Sequence, residues 1–144
     1  MSVLEDTANS IVASLEMKDW GDYSPKIEKK YIPDYQPSEL TNMVVCVVPR
    51  NTENTMLSRA IEQDMCMIDI GILKKMERKN QAKEIPDMLG LAEETRTYLA
   101  KRDFGLAKYK QISFNPHISE EHLGNNVFVS ILSAQYHTEI VIPR

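Results

Sequence analysis

The chain has 144 residues, of which 42% are hydrophobic and 26% are charged, and its formal net charge is −4. This composition is ordinary for a folded globular protein and excludes an intrinsically disordered chain. A mildly acidic chain has no overall field that attracts phosphates, so stable nucleic-acid binding would need a local basic patch. The length predicts one domain over residues 1–144, with a core that needs no metal or disulfide.

The chain shows no targeting segment and no membrane span. Its N-terminus lacks the basic region, the long apolar region and the cleavage site of a signal peptide. No apolar run approaches the roughly 20 residues that cross a bilayer. We therefore expect the protein to be made in a cytoplasm and to have no membrane partner.

The first predicted element is a helix. Ser2 and Glu5 have the spacing of a capping box. One buried stripe follows at the helical spacing of three to four residues: Leu4, Ala8, Ile11, Val12 and Leu15. The helix is expected to end near residues 19–21, where Gly21 can adopt the left-handed conformation.

A lysine-rich segment at residues 26–32 predicts an edge strand, because lysines discourage unwanted edge pairing. Residues 34–42 then predict a loop with a short turn capped by Ser38. The unbroken apolar run at 43–49 is typical of a strand that is covered on both faces.

Residues 64–75 predict one long strand, which forms a hairpin with the 43–49 strand. Alternate residues place an apolar set on one face: Cys66, Ile68, Ile70 and Ile72. The other face carries Met67, Asp69, Gly71 and Leu73. Between the two strands, residues 50–63 are polar and predict a long tip, which has a function or stays mobile until it meets a partner.

The second half predicts a polar connection at 74–84, then a helix from Pro86 to about Lys101. The buried stripe of that helix would be Met88, Leu91, Ala92, Thr95, Tyr98 and Leu99. A strand over 107–114, and a long strand or strand pair over 125–142, complete the order α-β-β-β-α-β-β. The expected class is α+β, with a mixed or antiparallel sheet of about four to five strands and two helices packed on it.

No constellation of residues predicts a catalytic, cofactor-binding or metal site. His117, His122 and His137 have no thiolate neighbour in sequence, and the pairing of Pro33-Asp34 with Glu77-Arg78-Lys79 lacks the core strand that a nuclease site needs. Cys46 and Cys66 are expected to be free and buried, although antiparallel pairing of their strands would allow them to be neighbours. We expect a protein that is not an enzyme and has no cofactor.

Two polar features leave alternatives open. Asp69 interrupts an apolar strand, so its carboxylate is either hydrogen-bonded and paired or lies on a face open to water or to a polar subunit interface. The basic residues of the 74–84 connection form either a solvated loop or a contact with DNA or an acidic neighbour.

The layout resembles a family. The sequence has a helix of about fifteen residues at its start, VVPR at 47–50, a polar loop with Arg59, IDIGILKK at 68–75, a second helix and VFVS at 127–130. In this order it resembles the small neck proteins of tailed bacteriophages and prophages, and especially the tail terminator, or tail-completion protein. The resemblance extends over most of the chain.

The resemblance implies a virion protein of the tail and neck, assembled in the host cytoplasm. Its subunits form a homo-oligomeric ring, usually a hexamer, that caps the tail tube protein, stops tube polymerisation and offers a surface to a head-side connector or adaptor protein. Six copies of a chain of charge −4 would carry about −24, which suits DNA that passes through the channel without specific binding.

Three groups of residues are predicted to serve this role. The tip residues Arg50, Asn54, Arg59 and Glu62 would contact a neighbouring subunit or the tube. A basic group would face one rim of the ring: Lys74, Lys75, Arg78 and Lys79. Asp69 would lie at an interface or line the channel.

Three other interpretations compete with the terminator. One is a single soluble domain that regulates a partner, which a strictly monomeric particle in solution would favour. A head-completion or adaptor protein of the neck has similar size and composition, but its loss should leave normal free tails beside leaking heads, whereas loss of a terminator should give over-long tubes. A small enzyme or ligand-binding domain would have to engage its ligand through His117, His122 or Asp69.

Overall fold

The structure is a computed structural model that describes the backbone of residues 2–141 and the side chains of residues 2–139. Its helices are α1 (Val3–Glu16), α2 (Gln81–Leu99) and the short α3 (Glu120–Leu123). The strands are β1 (Lys26–Lys29), β2 (Val44–Met56), β3 (Ile61–Lys75), β4 (Lys108–Phe114) and β5 (Val127–Val141). They form one sheet in the order β1-β2-β3-β5-β4.

The sheet is mixed, because β1 runs parallel to β2 while β2–β3, β3–β5 and β5–β4 are antiparallel pairs. The predicted α+β class is therefore confirmed, as is a sheet of four to five strands carrying two main helices. The single-turn helix α3 is an addition to the predicted order. Among residues 2–141, no helix has the length and hydropathy needed to cross a membrane.

Helix α1 forms where its cap and stripe predict. The Glu5 amide donates to Ser2 Oγ at 3.2 Å, and Ala8, Ile11 and Leu15 are buried. The carboxylate of Glu5 pairs with Lys29 rather than returning to the cap. The helix ends at Glu16, before the predicted 19–21, and Gly21 has a φ of +65° in the turn that follows.

One face of the sheet forms the main core with the two long helices. The predicted β3 set of Cys66, Ile68, Ile70 and Ile72 is fully or almost fully buried there. From α2 the core receives Met88, Leu91, Ala92 and Leu99. The predicted stripe of α2 is thus confirmed, except that Tyr98 is only partly buried and donates its hydroxyl to the Ser14 carbonyl at 2.8 Å.

The opposite face of the sheet, called here the open face, is covered only in part. Tyr35 and Leu40, around the 3-10 turn Pro37–Leu40, pack over Val44 and Val129. This cover explains why the apolar run at 43–49 is buried on both faces of its strand, as predicted.

The two cysteines are free and buried, as predicted, but they are not neighbours. Cys46 lies opposite Gly71 and Cys66 lies opposite Thr52, so they are far apart in register, and they lie on opposite faces of the sheet. Burial raises the pKa of both thiols, which keeps them protonated near neutral pH.

The predicted boundaries of the hairpin are wrong. Residues 50–63 are not a loop: β2 continues to Met56, β3 begins at Ile61, and the turn comprises only residues 57–60. Asn and Glu are uncommon in strands, although the β-branched Thr52 and Thr55 favour them. Backbone pairing with β3 engages amides and carbonyls of these residues regardless of side-chain type.

The predicted connection at 74–84 is wrong in its length. Lys74 and Lys75 end β3, as the predicted strand 64–75 requires, but Arg78–Asn80 is a 3-10 turn and α2 already begins at Gln81. Pro86 is the sixth residue of α2 rather than part of its first turn as predicted, so the helix lacks the hydrogen bond that an amide there would donate to the carbonyl four residues earlier.

The C-terminal strands follow the prediction closely. β4 occupies the predicted segment, and β5 is one long strand rather than a pair. The predicted end of the last strand at residue 142 lies outside the described residues. His122 belongs to the short helix α3.

Candidate functional site

The outer half of the β2–β3 hairpin, called the arm here, comprises residues 50–65, and β5 pairs with its β3 strand as far as Ile61. A β-bulge between Pro49 and Asn51 marks its base, and the chain changes there from buried to exposed. Every residue of β2 from Arg50 onward is exposed, whereas 44–49 are buried. The arm is therefore held in shape by strand pairing rather than by a core.

Arg50 and Asp69 form an ion pair at the base of the arm. Arg50 Nε lies 2.8 Å from Asp69 Oδ2, and Ser133 Oγ donates to Asp69 Oδ1 at 3.1 Å. The side chain of Asp69 retains 22% of its exposure. Both alternatives for this carboxylate hold in part, because it is paired and hydrogen-bonded yet remains open to solvent on the open face.

A small cavity lies beside this ion pair on the open face. Its volume is about 150 Å³ and its apolar lining includes Cys46, Val48, Leu73, Val129 and Ile131. Three polar side chains also line it: Arg50, Asp69 and His122. A cavity of this size accommodates a group of about six carbon atoms and is smaller than typical drug-sized pockets.

Further out on the arm, Asn54 bridges two carboxylates across the hairpin. Its Nδ2 donates to Asp64 Oδ1 at 2.7 Å and lies 3.3 Å from Glu62 Oε2. Arg59 lies in the exposed turn. The predicted contact residues are therefore brought together on one projecting element, although Asn54 and Glu62 also hold each other.

The arm ends in an exposed apolar pair, Met56 and Leu57, which are 64% and 51% exposed. Sequence reasoning did not select them, although two adjacent large apolar residues in a polar stretch are a signal that could have found them. Ser133 was also missed, since only the register of β3 with β5 places it opposite Asp69.

The predicted basic group lies at the other end of the hairpin. Lys74 Nζ is 3.7 Å from Glu84 Oε2, and Lys79 Nζ is 3.4 Å from Glu77 Oε2. Arg78 and Lys75 are exposed beside them. A strand rises about 3.4 Å per residue, so β3 separates this group from the tip by roughly 45–50 Å. The two groups are therefore too far apart to form one site.

The histidines do not converge. His117 stacks on Phe114 with 4.0 Å between ring centroids and lies 3.5 Å from Glu93. His122 pairs with Ser119 at 2.7 Å, and His137 lies on β5. Within residues 2–139, no three His, Cys, Asp or Glu side chains are grouped so as to hold a metal ion.

A comparison with protein-family models gave no match to this chain, and a comparison with curated proteins gave none either.

Proposed function

We propose that this chain is a structural subunit of a tailed-phage neck, a tail terminator whose ring caps the tail tube, ends tube polymerisation and joins the tail to the head. The proposal starts from the resemblance in element order. The observation that carries it is the projecting arm, whose strand residues 50–56 are all exposed. A long edge of this kind is a ready template for pairing with another chain.

The composition of the arm suits a surface that is soluble before assembly and buried after it. Its flanks are polar or charged, which protects the free edge, while Met56 and Leu57 concentrate apolar area at the tip. Burial of apolar area at the centre of an otherwise polar contact is the usual anatomy of an interface. The arm would bind a neighbouring subunit or the tube.

The separation of the arm from the basic group supports a ring with two different rims. If the tip contacts a neighbour or the tube, then Lys74, Lys75, Arg78 and Lys79 face the other rim and the head-side connector. Asp69 is held by Arg50 and Ser133 beside the open face, where it would add negative charge to an interface or to the channel wall.

Tube length in an assembly reaction tests this proposal. The arm can be shortened in register by replacing residues 54–64 with Asn-Gly, a two-residue turn that suits a hairpin. We expect the natural chain to stop polymerisation of its cognate tail tube protein, and the shortened chain to leave tubes as long as those formed without it, as measured in electron micrographs.

The matched control is a double variant at the opposite end, Glu77→Ala with Lys79→Ala, which removes an exposed ion pair. It should cap tubes normally. Capping by the short-arm variant would contradict the role of the arm. A phage that lacks this chain gives a second test. If it makes tails of normal length beside heads that leak DNA, the chain is a head-completion or adaptor protein instead of a terminator.

A second candidate function, ligand binding, is favoured by one observation: Asp69 and His122 line the same cavity. A small ligand with an apolar body and a polar end would fit it. In a thermal-shift screen of such compounds, a true ligand should raise the Tm of the natural chain but not that of Asp69→Ala/His122→Ala. His117→Ala is the control, because His117 stacks on Phe114 instead.

A further inference from the structure

The sheet has two edges of matching length. β1 pairs with β2 only over Val44–Val47, so residues 50–56 of β2 have β3 on one side and no other described strand on the second side. At the far edge, β4 pairs with β5 alone among residues 2–141, through six of its seven residues. Side chains of the same chain hold three backbone groups of these strands: Thr52 N–H donates to Asn51 Oδ1, Tyr109 N–H donates to Asp103 Oδ1, and the Ile112 carbonyl accepts from Arg96 Nε. An added strand would pair with the other outward backbone groups of each edge or displace these side chains.

Exposed apolar side chains flank these edges. Met56 and Leu57 end β2, and Leu106, which is 74% exposed, comes just before β4. Tyr31 and Ile32, also exposed, follow β1 at the point where its pairing with β2 stops. Of the large exposed apolar residues, only Met17 lies elsewhere in the described chain. This distribution indicates that the edges, rather than the helices, meet another protein.

The strand directions allow the two edges to meet in a ring. β2, β3, β5 and β4 alternate in direction, so β2 and β4 run in opposite directions within one sheet. A rotation about an axis along the strands preserves these directions. It therefore brings β2 of one copy antiparallel to β4 of the next, which is the more stable type of pairing.

The charges of the two edges are complementary in part. Residues 50–56 of the β2 edge carry Arg50 and Glu53, with Glu62 and Asp64 beside them on β3, whereas β4 exposes Lys108 and Lys110. Lys108 also lies 3.9 Å from Asp103 of its own chain. Because β1 occupies the inner part of the β2 edge, the incoming strand must be displaced toward the tip. A stagger of this kind is what closure of a sheet into a ring requires.

We infer that copies of this chain assemble by edge pairing, in which residues 50–56 of one copy add to the β4 edge of the next and continue the sheet around the ring. This inference rests on the proposed ring and identifies the two surfaces that form it. Met56 of one copy then lies beside Leu106 and Lys108 of its neighbour, which covers the exposed apolar side chains at that end.

Disulfide trapping tests the pairing in the purified full-length chain. The double variant Met56→Cys/Lys108→Cys cannot close within one chain, because three strand spacings, about 14 Å, separate β2 from β4 and a disulfide needs Cα atoms within about 7 Å. The native cysteines are buried and do not compete. On oxidation we expect a ladder of covalent oligomers that ends at one fixed size.

Control variants distinguish the alternatives. Met56→Cys with Met17→Cys should give no ladder, because Met17 is exposed but lies away from both edges. A covalent dimer from Met56→Cys alone would indicate two-fold pairing of β2 edges and would overturn the inference. If native mass spectra show rings but oxidation gives no ladder, the pairing of the β2 and β4 edges is wrong and the proposed ring remains. If the chain is strictly monomeric, both the edge pairing and the ring are wrong. Capping of the tube is measured separately, so failure of the terminator role remains distinguishable.

Discussion

At the scale of single residues, Glu28 and Tyr35 hold the cover of the open face in place. The Tyr35 hydroxyl donates to Glu28 Oε1 at 2.6 Å, and Lys26 and Lys30 lie 3.4 and 3.8 Å from the same carboxylate. The hydrogen bond from Tyr35 is the main reason that the pKa of Glu28 is lowered. Burial is the main reason that the pKa of Tyr35 is raised, which keeps the phenol a donor.

This pair predicts a pH dependence of stability. Because the pKa of Glu28 is lowered in the folded state, its contribution is present above its usual value of 4.5 and is lost as the pH falls through the lowered value. The free energy of unfolding of Glu28→Gln should therefore fall less than that of the natural chain as acid is added. Urea titrations between about pH 3 and 7 measure it, and parallel curves for the two chains would contradict it.

Asp69 illustrates the limit of residue-level prediction. Its position in an apolar strand correctly marked it as unusual, but its partners lie on two other strands. Arg50 follows Cys46 and Val48 at period two onto the open face, and the β-bulge leaves it without a register partner on β3. Ser133 is placed by the register of β5. Neither the bulge nor the register is visible in local sequence, so the ion pair could not be predicted.

At the scale of elements, the hairpin is one continuous structure with two different environments. Inside the domain, β2 and β3 are buried by the helices and by the 3-10 turn, whereas the β2 strand of the arm is exposed and its β3 residues 61–65 are partly exposed. The alternating pattern of residues 66–73 made the inner half predictable. The outer half has no apolar alternation, because neither of its faces meets a core.

Two substitutions in the same hairpin should differ strongly in effect. Ile70→Ala removes a fully buried side chain and should lower the free energy of unfolding by about 2–5 kcal/mol. Thr55→Ala, in the exposed arm, should change it by about 0.5 kcal/mol or less. Chemical denaturation measures both, and a large loss from Thr55→Ala would show that the arm is packed in the isolated chain.

At the scale of the whole molecule, charge is distributed so that the basic groups are locally offset. Lys74 and Lys79 lie near Glu84 and Glu77, and the chain as a whole carries −4. A surface of this kind releases few counterions on meeting a phosphate backbone, so it should bind DNA weakly. This expectation agrees with the proposed channel, through which DNA would pass without specific binding.

Fluorescence anisotropy with a labelled DNA duplex checks this expectation. At about 0.15 M salt, where exposed charges further apart than about 8 Å are screened, we expect no binding at micromolar protein. The double variant Lys75→Glu/Arg78→Glu should also show no DNA binding, because we expect that these two cations do not contact DNA in the natural chain. Binding by the natural chain that the double variant loses would instead assign the basic group to DNA.

The sequence by itself determined the fold class, the two long helices and the buried face of β3, because periodic burial leaves its pattern in the order of apolar residues. It also placed Ser2 at the helix start and a free, buried state at both cysteines. Only the tertiary structure decided where the hairpin turns, which residues pair with Asp69 and which edges of the sheet stay open. These features depend on strand register and on backbone hydrogen bonds. Because the backbone is chemically the same at nearly every position, its hydrogen bonds leave no pattern in the order of the side chains.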